Sequence, residues 1–558
     1  MAGIDFYKKD IAKHFGAGEF GELVERIGME VKGSDSDIVS LDITPNRPDL
    51  LYFYNFMETL RLFANRGAKS KSYAVESRIR TSIRVTKNVS SIRPNMAALV
   101  AEGLDMSGNA LKYLVDFTEK LGSTYGRRRK KIAIGLHDYD KIDGGLVYDA
   151  SHSGKIVPLG ESSERTFEEV IRKNRKGMDY AYTITGPSNG KTAYPFLRDS
   201  EKTLSLIPII NSNISSISHK TKRMLIDITG IDESVDAVAD MLACSLINMG
   251  AKVGLAEVSH GSATKTFPMM RRKSIEVGYK AISSVLGRSI AHSELPGLLE
   301  SMGYSVAKLE KESLMAEVQP YRLDCFSSQD VIEDIAIAYG YDSIGTHSVE
   351  NAGHGSPDLL EEFKNALGTL LSGFGFLEAY NYYLTNEKTC FEMMGKDFDS
   401  RRVVKLKNSK TEAFSILRDS LLPGLLHDIS TTGHERMPQR LFEIGHVFSL
   451  EQGKPLEATR LGLIIEHSKA NASECISIAK SVLGYLGIGY SLAGKDMPSF
   501  IPGRCASVVC GGEEIGVLGE IHPSVLNNFR IEEPVVALEM DLDYIMRSIR
   551  NTKTKMKN

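Results

Sequence analysis

Residues Ile207 to Asp232 read IPIINSNISSISHKTKRMLIDITGID. An apolar run of strand length enters a Ser/Asn loop, and a second apolar run leaves it with Leu225, Asp227 and Thr229 on one face, as period-two alternation requires. Around this pair, short runs such as IRV, KIAIGL and LIPII alternate with loops and two helical stretches up to about residue 260. The pattern predicts an α+β domain.

Upstream, DIVSLDIT (Asp37 to Thr44) reads as a strand, and the prolines bracketing Asn46-Arg47 set a rigid turn. Phe53, Phe56, Met57, Leu60 and Phe63 then follow the spacing of one buried helical face, with Gly67 where a C-terminal cap belongs. A small N-terminal α/β unit is expected. Downstream, SHGSATKTFP (Ser259 to Pro268) has the small, polar character of a linker. Residues 269 to 345 hold two helical patterns around a strand-like LMAEVQPYR, so a small helical domain is expected. Asn351 to Pro357 marks a further boundary, followed by a long helix from Asp358 to Ser372 and then strands and helices to residue 546. The tail, 547 to 558, is basic and apolar-poor and is expected to fray.

Composition bounds the function without naming it. The 558 residues correspond to several domains of ordinary size. Lys and Arg number 68 against 71 Asp and Glu, so no global field draws in nucleic acid and any RNA contact must be local. The six cysteines form neither a CxxC pair nor a zinc-spaced cluster, which reads as reduced thiols of a cytoplasmic protein. No apolar run has the length of a membrane span.

Chemistry concentrates in PYRLDCFSSQDVIEDIAIAYGY (Pro320 to Tyr341). Asp330, Glu333 and Asp334 lie at i, i+3 and i+4, on one helix face, with Asp324 just upstream. Four carboxylates gathered there would suit a hard cation such as Mg2+. Acidic residues are equally favoured in a first helical turn by the macrodipole alone. The Ser/Asn loop could hold a small polar ligand, although such loops are commonly solvated turns. The basic runs Arg127 to Lys131 and His219 to Arg223 could meet phosphate or form a solvated face. His137 and Asp138 could be a base and its orienter, but no nucleophile lies near them in sequence.

Taken in order, DITPNRPDLL, IGLHDYDKI, the INSN loop with LIDITGID, LLESMGY, PYRLDCFSSQDVIEDIAIAYGYDSI, FSILRDSLLPGLL, RLFEIGHVF, FIPGRCASVVC and GVLGEIHP resemble segments of the phenylalanyl-tRNA synthetase β subunit family, of the shorter archaeal and eukaryotic type. The resemblance implies a multidomain α+β chain. In it, 1–80 is an N-terminal structural domain, 85–260 a B3/B4-type editing domain, 269–345 a B5-type helical domain, and 350–546 an inactive class II synthetase-like antiparallel sheet domain. It implies an (αβ)2 tetramer with an α subunit that ligates phenylalanine to tRNA(Phe) using ATP. The β chain would support assembly, tRNA binding and hydrolysis of mischarged tyrosyl-tRNA. The family's Mg2+ cluster maps onto Asp324, Asp330, Glu333 and Asp334. RLFEIGHVFSL resembles the second class II motif, but the ATP-holding Arg does not follow and the Gly-rich third motif is missing, which places the adenylate chemistry on α.

A pocket shaped for phenylalanine rejects tyrosine only partly, so a second hydrolytic site that accepts the hydroxyl corrects the error. Asn211, Ser212, Asn213 and Thr229 are the candidates to line it. Two other classes stand beside this reading: a non-enzymatic RNA-binding scaffold and a free-standing aminoacyl-tRNA hydrolase.

Overall fold

The computed structural model describes residues 2–555 apart from 66–67, 185–186, 189–190 and 347–352. The chain divides into two compact units, residues 1–349 and 350–558.

In the first unit the strand Ile38–Ile43 is the centre of a three-stranded antiparallel sheet between Ala2–Tyr7 and Glu30–Ser34. The expected helix runs Phe53–Ala64 and buries Phe53, Phe56, Met57, Leu60 and Phe63. Asn65 closes it; the cap expected at Gly67 lies outside the described residues. Between strand and helix, Arg47 turns inward and forms a bidentate pair with Asp49 at 3.0 and 2.8 Å, both buried.

A mixed sheet follows, with strands in the order Ile210–Asn211, Thr203–Leu206, Tyr194–Arg198, Leu146–Ser151, Glu76–Val85, Lys252–His260, Asn95–Glu102, Arg223–Gly230 and Ile132–Asp138. Two sequence expectations fail here. The boundary drawn between residues 80 and 85 cuts the strand Glu76–Val85, which pairs in parallel with both Lys252–His260 and Leu146–Ser151. The polar stretch from Ser259 is no linker: Lys252–His260 and Ala263–Phe267 form a hairpin turning at Gly261, with Phe267 buried. Small polar residues are admitted because one face of that hairpin is solvated.

Residues 269 to 345 are likewise not simply helical. Lys273–Gly278, Ser313–Val318 and Ser305–Leu309 form a three-stranded antiparallel sheet beside the helices Tyr279–Leu286, Leu295–Ser301 and Ser328–Tyr339. One continuous apolar core, from Ile4 to Ala338, joins all three segments, so the domains expected within this unit share a core. The helix Ser234–Met249 packs in this core, tied to the helix Phe53–Ala64 through Asn55, whose amide donates to Ser245 Oγ at 2.8 Å and accepts from Asn248 at 3.0 Å.

The second unit opens with the helix Leu359–Gly373, capped by Asp358 Oδ1 on the Leu360 N–H at 2.8 Å. Its core is a seven-stranded sheet, antiparallel but for the short edge strand Leu377–Glu378, in the order Leu377–Glu378, Gln439–Glu451, Lys454–Glu466, Val535–Asp541, Glu513–Ile521, Phe500–Cys510 and Ser491–Gly494. The basic tail does not start as coil: the closing helix runs Leu542–Lys555, anchored by the buried Leu542 and Ile545. All six cysteines are free thiols and buried. Among the described residues no helix is long and apolar enough to cross a membrane.

Candidate functional site

Antiparallel pairing of Ile132–Asp138 with Arg223–Gly230 sets Asp227 opposite Gly135 and Leu225 opposite His137. Opposed residues share a face, so Asp227 and His137 are diagonal neighbours on one side of the sheet. His137 Nε2 lies 2.9 Å from Asp227 Oδ2, and Nδ1 lies 2.8 Å from Ser215 Oγ. A carboxylate accepts, so Nε2 carries the hydrogen and the Ser215 hydroxyl donates to Nδ1. Gly135 makes this arrangement possible, because a Cβ there would stand 2.0 Å from Asp227 Oδ2.

Asp227 and Gly135 form part of the wall of a cavity of about 240 Å³, whereas His137 and Ser215 lie behind it, fully buried. The three residues have the composition of a catalytic triad in reverse, with the carboxylate toward the cavity and the serine away from it. Ser215 is therefore not placed as a nucleophile. Asn211 and Ser205 lie on the same wall. Asn211 holds its position by donating to the Leu136 carbonyl at 3.1 Å. Ser205 is buried, and its hydroxyl has no partner among the described residues. A buried hydroxyl without a partner is destabilising unless a ligand or water supplies one.

Further along the wall, Glu119 accepts from Arg129 at 2.5 Å and Lys176 at 2.7 Å. Burial pushes the Glu119 carboxyl up, but the two cations outweigh it and hold it below its ordinary value. Arg129 also donates to the carbonyls of Pro208 and Ile209 at 3.2 and 2.8 Å, which fixes the segment carrying the cavity floor.

Of the four pocket residues expected from sequence, Asn211 alone lies on the wall of this cavity. Ser212 is buried with its hydroxyl on the Val157 carbonyl at 3.0 Å. Asn213 Oδ1 accepts from the Gly160 N–H at 3.4 Å. Thr229 Oγ1 accepts from the buried Arg93 at 2.9 Å. Asp138 does not orient His137; it accepts from Thr221 Oγ1 at 2.8 Å and pairs with Lys141 at 3.4 Å. Sequence reasoning misses Ser205, Glu119 and the role of Asp227, which the alternation shows only as part of a strand face. The IGLHD segment offered the one signal that could have drawn His137 toward it.

The acidic face of Ser328–Tyr339 is arranged as a structural network. Arg322 binds Asp324 through Nε at 2.8 Å and a terminal nitrogen at 2.9 Å, and reaches Asp334 at 2.7 Å. Tyr304 donates to Asp334 at 2.5 Å. Burial raises the Asp324 carboxyl, but the Arg322 guanidinium outweighs it and holds it below its ordinary value. Asp330 caps its own helix, accepting from the N–H groups of Phe326 and Ser327 at 2.8 and 2.7 Å. Glu333 is exposed. No group of three or more His, Cys, Asp or Glu side chains among the described residues is placed to hold a metal ion. As they stand the four carboxylates do not fit Mg2+: Arg322, Tyr304 and the N–H groups of Phe326 and Ser327 take up Asp324, Asp334 and Asp330, and Glu333 is exposed.

Comparison with known proteins agrees with this architecture. Family models match in chain order: the B3/4 domain over 78–243, the tRNA synthetase B5 domain over 275–341, and the phenylalanyl tRNA synthetase beta chain CLM domain over 346–542. These define a subunit of a class II aminoacyl-tRNA synthetase, a ligase. The phenylalanine–tRNA ligase beta subunit of Archaeoglobus fulgidus is 34% identical over 520 residues, covering 92% of this chain and 93% of that one. That of Pyrococcus furiosus is 34% identical over 509 residues, 90% of each. The chain belongs to the phenylalanine–tRNA ligase beta subunit family. An N-terminal fragment of the Pyrococcus horikoshii phenylalanyl-tRNA synthetase β-subunit superposes with a TM-score of 0.57 at 28% identity, covering 60% of this chain and 99% of the fragment.

Proposed function

We propose that this chain acts with an α subunit, in an (αβ)2 assembly in the cytoplasm, to attach phenylalanine to tRNA(Phe) at the expense of ATP, and that its own cavity hydrolyses mischarged tyrosyl-tRNA. Family membership supports the first part. So does the second unit, where a cavity of about 530 Å³ on the sheet is lined by six carboxylates (Asp397, Asp399, Asp419, Glu514, Glu539, Asp541) against four cations (Lys396, Arg402, Arg460, Lys495). Arg460 is already paired with Glu539 at 3.1 Å, and nearby Arg418 with Glu443 at 2.6 Å. An acid-rich cavity repels a triphosphate, so adenylate formation belongs on α. Leu377, Tyr380 and Tyr382, of which the tyrosines are 82% and 83% exposed, offer apolar area to a partner.

The observation that carries the hydrolytic reading is the polar stretch of one cavity wall made by Asn211, Asp227 and Ser205, the last with its hydroxyl buried and unpartnered among the described residues. These groups suit a phenolic hydroxyl, which both donates and accepts. A phenylalanine in the same place would leave them unpaired, at about 1–3 kcal/mol per group. Among the described residues no buried hydroxyl has a base placed to activate it toward the cavity, so a water attacks the ester carbonyl. The bond from the acyl carbon to the ribose oxygen breaks, tyrosine leaves as the acid, and the tRNA hydroxyl regains a proton. The Mg2+ expected from sequence at Asp324, Asp330, Glu333 and Asp334 forms no step of this reading. The test is deacylation of tyrosyl-tRNA by the chain with its α subunit. Wild type that spares tyrosyl-tRNA would remove the assignment.

A further inference from the structure

The helix Ala110–Ser123 ends in a turn in which Arg127, Arg128 and Arg129 all have positive φ, at 50, 53 and 64°. Left-handed backbone is unfavourable for residues with a long side chain, and three in succession persist only where the surroundings fix them. Here the N–H groups of the three arginines bond back to the carbonyls of Thr124, Ser123 and Gly122 at 2.8–2.9 Å. Gly126 lets the chain cross itself, since a Cβ there would lie 2.4 Å from the Ile132 carbonyl oxygen.

The side chains of this turn divide in two. Arg129 points into the protein and becomes cavity wall, while Arg127, Arg128 and Lys130 are exposed and have no ion-pair partner among the described residues. Lys131 leans on Asp232 at 3.8 Å. Two tyrosines interleave with the cations: Tyr180 under the Arg129 guanidinium at 4.3 Å, and Tyr182 beside Arg128 at 5.7 Å. Tyr182 is 42% exposed and anchors to the turn by donating to the Arg128 carbonyl at 2.6 Å. The other basic run behaves differently. There Arg223 is neutralised by Glu102 at 2.9 Å and Asp140 at 3.1 Å, and Lys222 and His219 bond to carbonyls.

We propose that the Arg127–Lys130 turn, with Tyr182, is a landing surface for single-stranded RNA, and that it holds the 3′ end of a tRNA whose ester enters the adjoining cavity. Cations without partners next to an exposed ring are the chemistry that grips a single strand, phosphates on the charges and a base on the aromatic face. The turn is rigid and continuous with the cavity wall through Arg129, so a strand held there is aimed rather than merely attracted. This inference rests on the hydrolytic reading of the cavity, but the binding surface is testable apart from it.

Asparagine tolerates left-handed backbone, so the double variant Arg127→Asn, Arg128→Asn removes charge while keeping the turn. Full chain with its α subunit is assayed on tyrosyl-tRNA and on tyrosine methyl ester, and its melting temperature serves as the fold control. The double variant should raise KM for tyrosyl-tRNA about tenfold with kcat within twofold, and leave the small ester unaffected. It should also make the slope of log affinity against log salt shallower by about 0.7 per lost phosphate contact. A fluorescent oligoribonucleotide ending in CCA, titrated by anisotropy, reads the surface alone and should bind the variant about tenfold more weakly. Unchanged oligonucleotide affinity and salt slope overturn the proposal. Loss of ester hydrolysis in wild type, with oligonucleotide binding intact and sensitive to the variant, overturns only the reading of the cavity.

Discussion

Asp227 lies flat across Gly135. The carboxylate oxygen that meets His137 at 2.9 Å occupies space a Cβ at Gly135 would enter, at 2.0 Å. The glycine therefore sets where the carboxylate sits in the cavity wall, and the histidine sets which way it faces.

Gly135→Ala should force Asp227 out of this position. Overpacking of this kind destabilises by about 1–3 kcal/mol. Tyrosyl-tRNA deacylation in the complex with α should fall at least tenfold, with phenylalanine charging near wild type, as measured by single-turnover deacylation and by aminoacylation.

His137→Gln and His137→Asn separate orientation from bulk. A glutamine amide can place its donor near the position of Nε2 and so keep the bond to Asp227, whereas asparagine reaches only as far as Nδ1 and keeps the Ser215 side. The glutamine variant should retain most deacylation and the asparagine variant should lose about tenfold. Equal activities would mean that His137 only fills space.

Asn211→Ala should raise accumulated tyrosyl-tRNA, and Asn213→Ala should change it less than twofold. Asn211 is cavity wall, while Asn213 is occupied with the Gly160 N–H. Misacylation assays with tyrosine in the αβ complex distinguish the two.

Arg322→Met should destabilise the first unit by about 3–5 kcal/mol, because Asp324 and Asp334 would then be buried without their cation. The Arg322 guanidinium holds the Asp324 carboxyl below its ordinary value in the folded chain, so its stabilisation is fully present above the ordinary aspartate value and is lost as pH falls through the lowered one. Acid unfolding followed by circular dichroism should show this component in wild type and not in the variant. Titration calorimetry of the chain with MgCl2 should show no saturable site at these carboxylates.

Purified chain alone should show no phenylalanine-dependent pyrophosphate exchange, and addition of the α subunit should restore it. Exchange by the chain alone would contradict an adenylate site confined to α.

Sequence by itself determined those elements whose side chains follow a clean period. The spacing of Phe53 to Phe63 dictates a buried helix wherever it is placed, and the alternation through Leu225, Asp227 and Thr229 dictates a strand, because both follow from local backbone periods. The ordered series of segments also carried the family. Only tertiary structure decided which polar residues meet. Asp227 reaches His137 across 90 positions, and Arg129 reaches the Pro208 carbonyl across 79, through strand register and loop closure that no local pattern encodes. The same physics explains why the acidic helix face and the Ser/Asn loop read as sites. Spacing shows that side chains share a face, but Arg322, the Phe326 and Ser327 N–H groups, the Val157 carbonyl and Arg93 had already taken up their hydrogen-bonding capacity. A buried polar group is bound to find partners, and only the folded chain reveals whether they are its own or a ligand's.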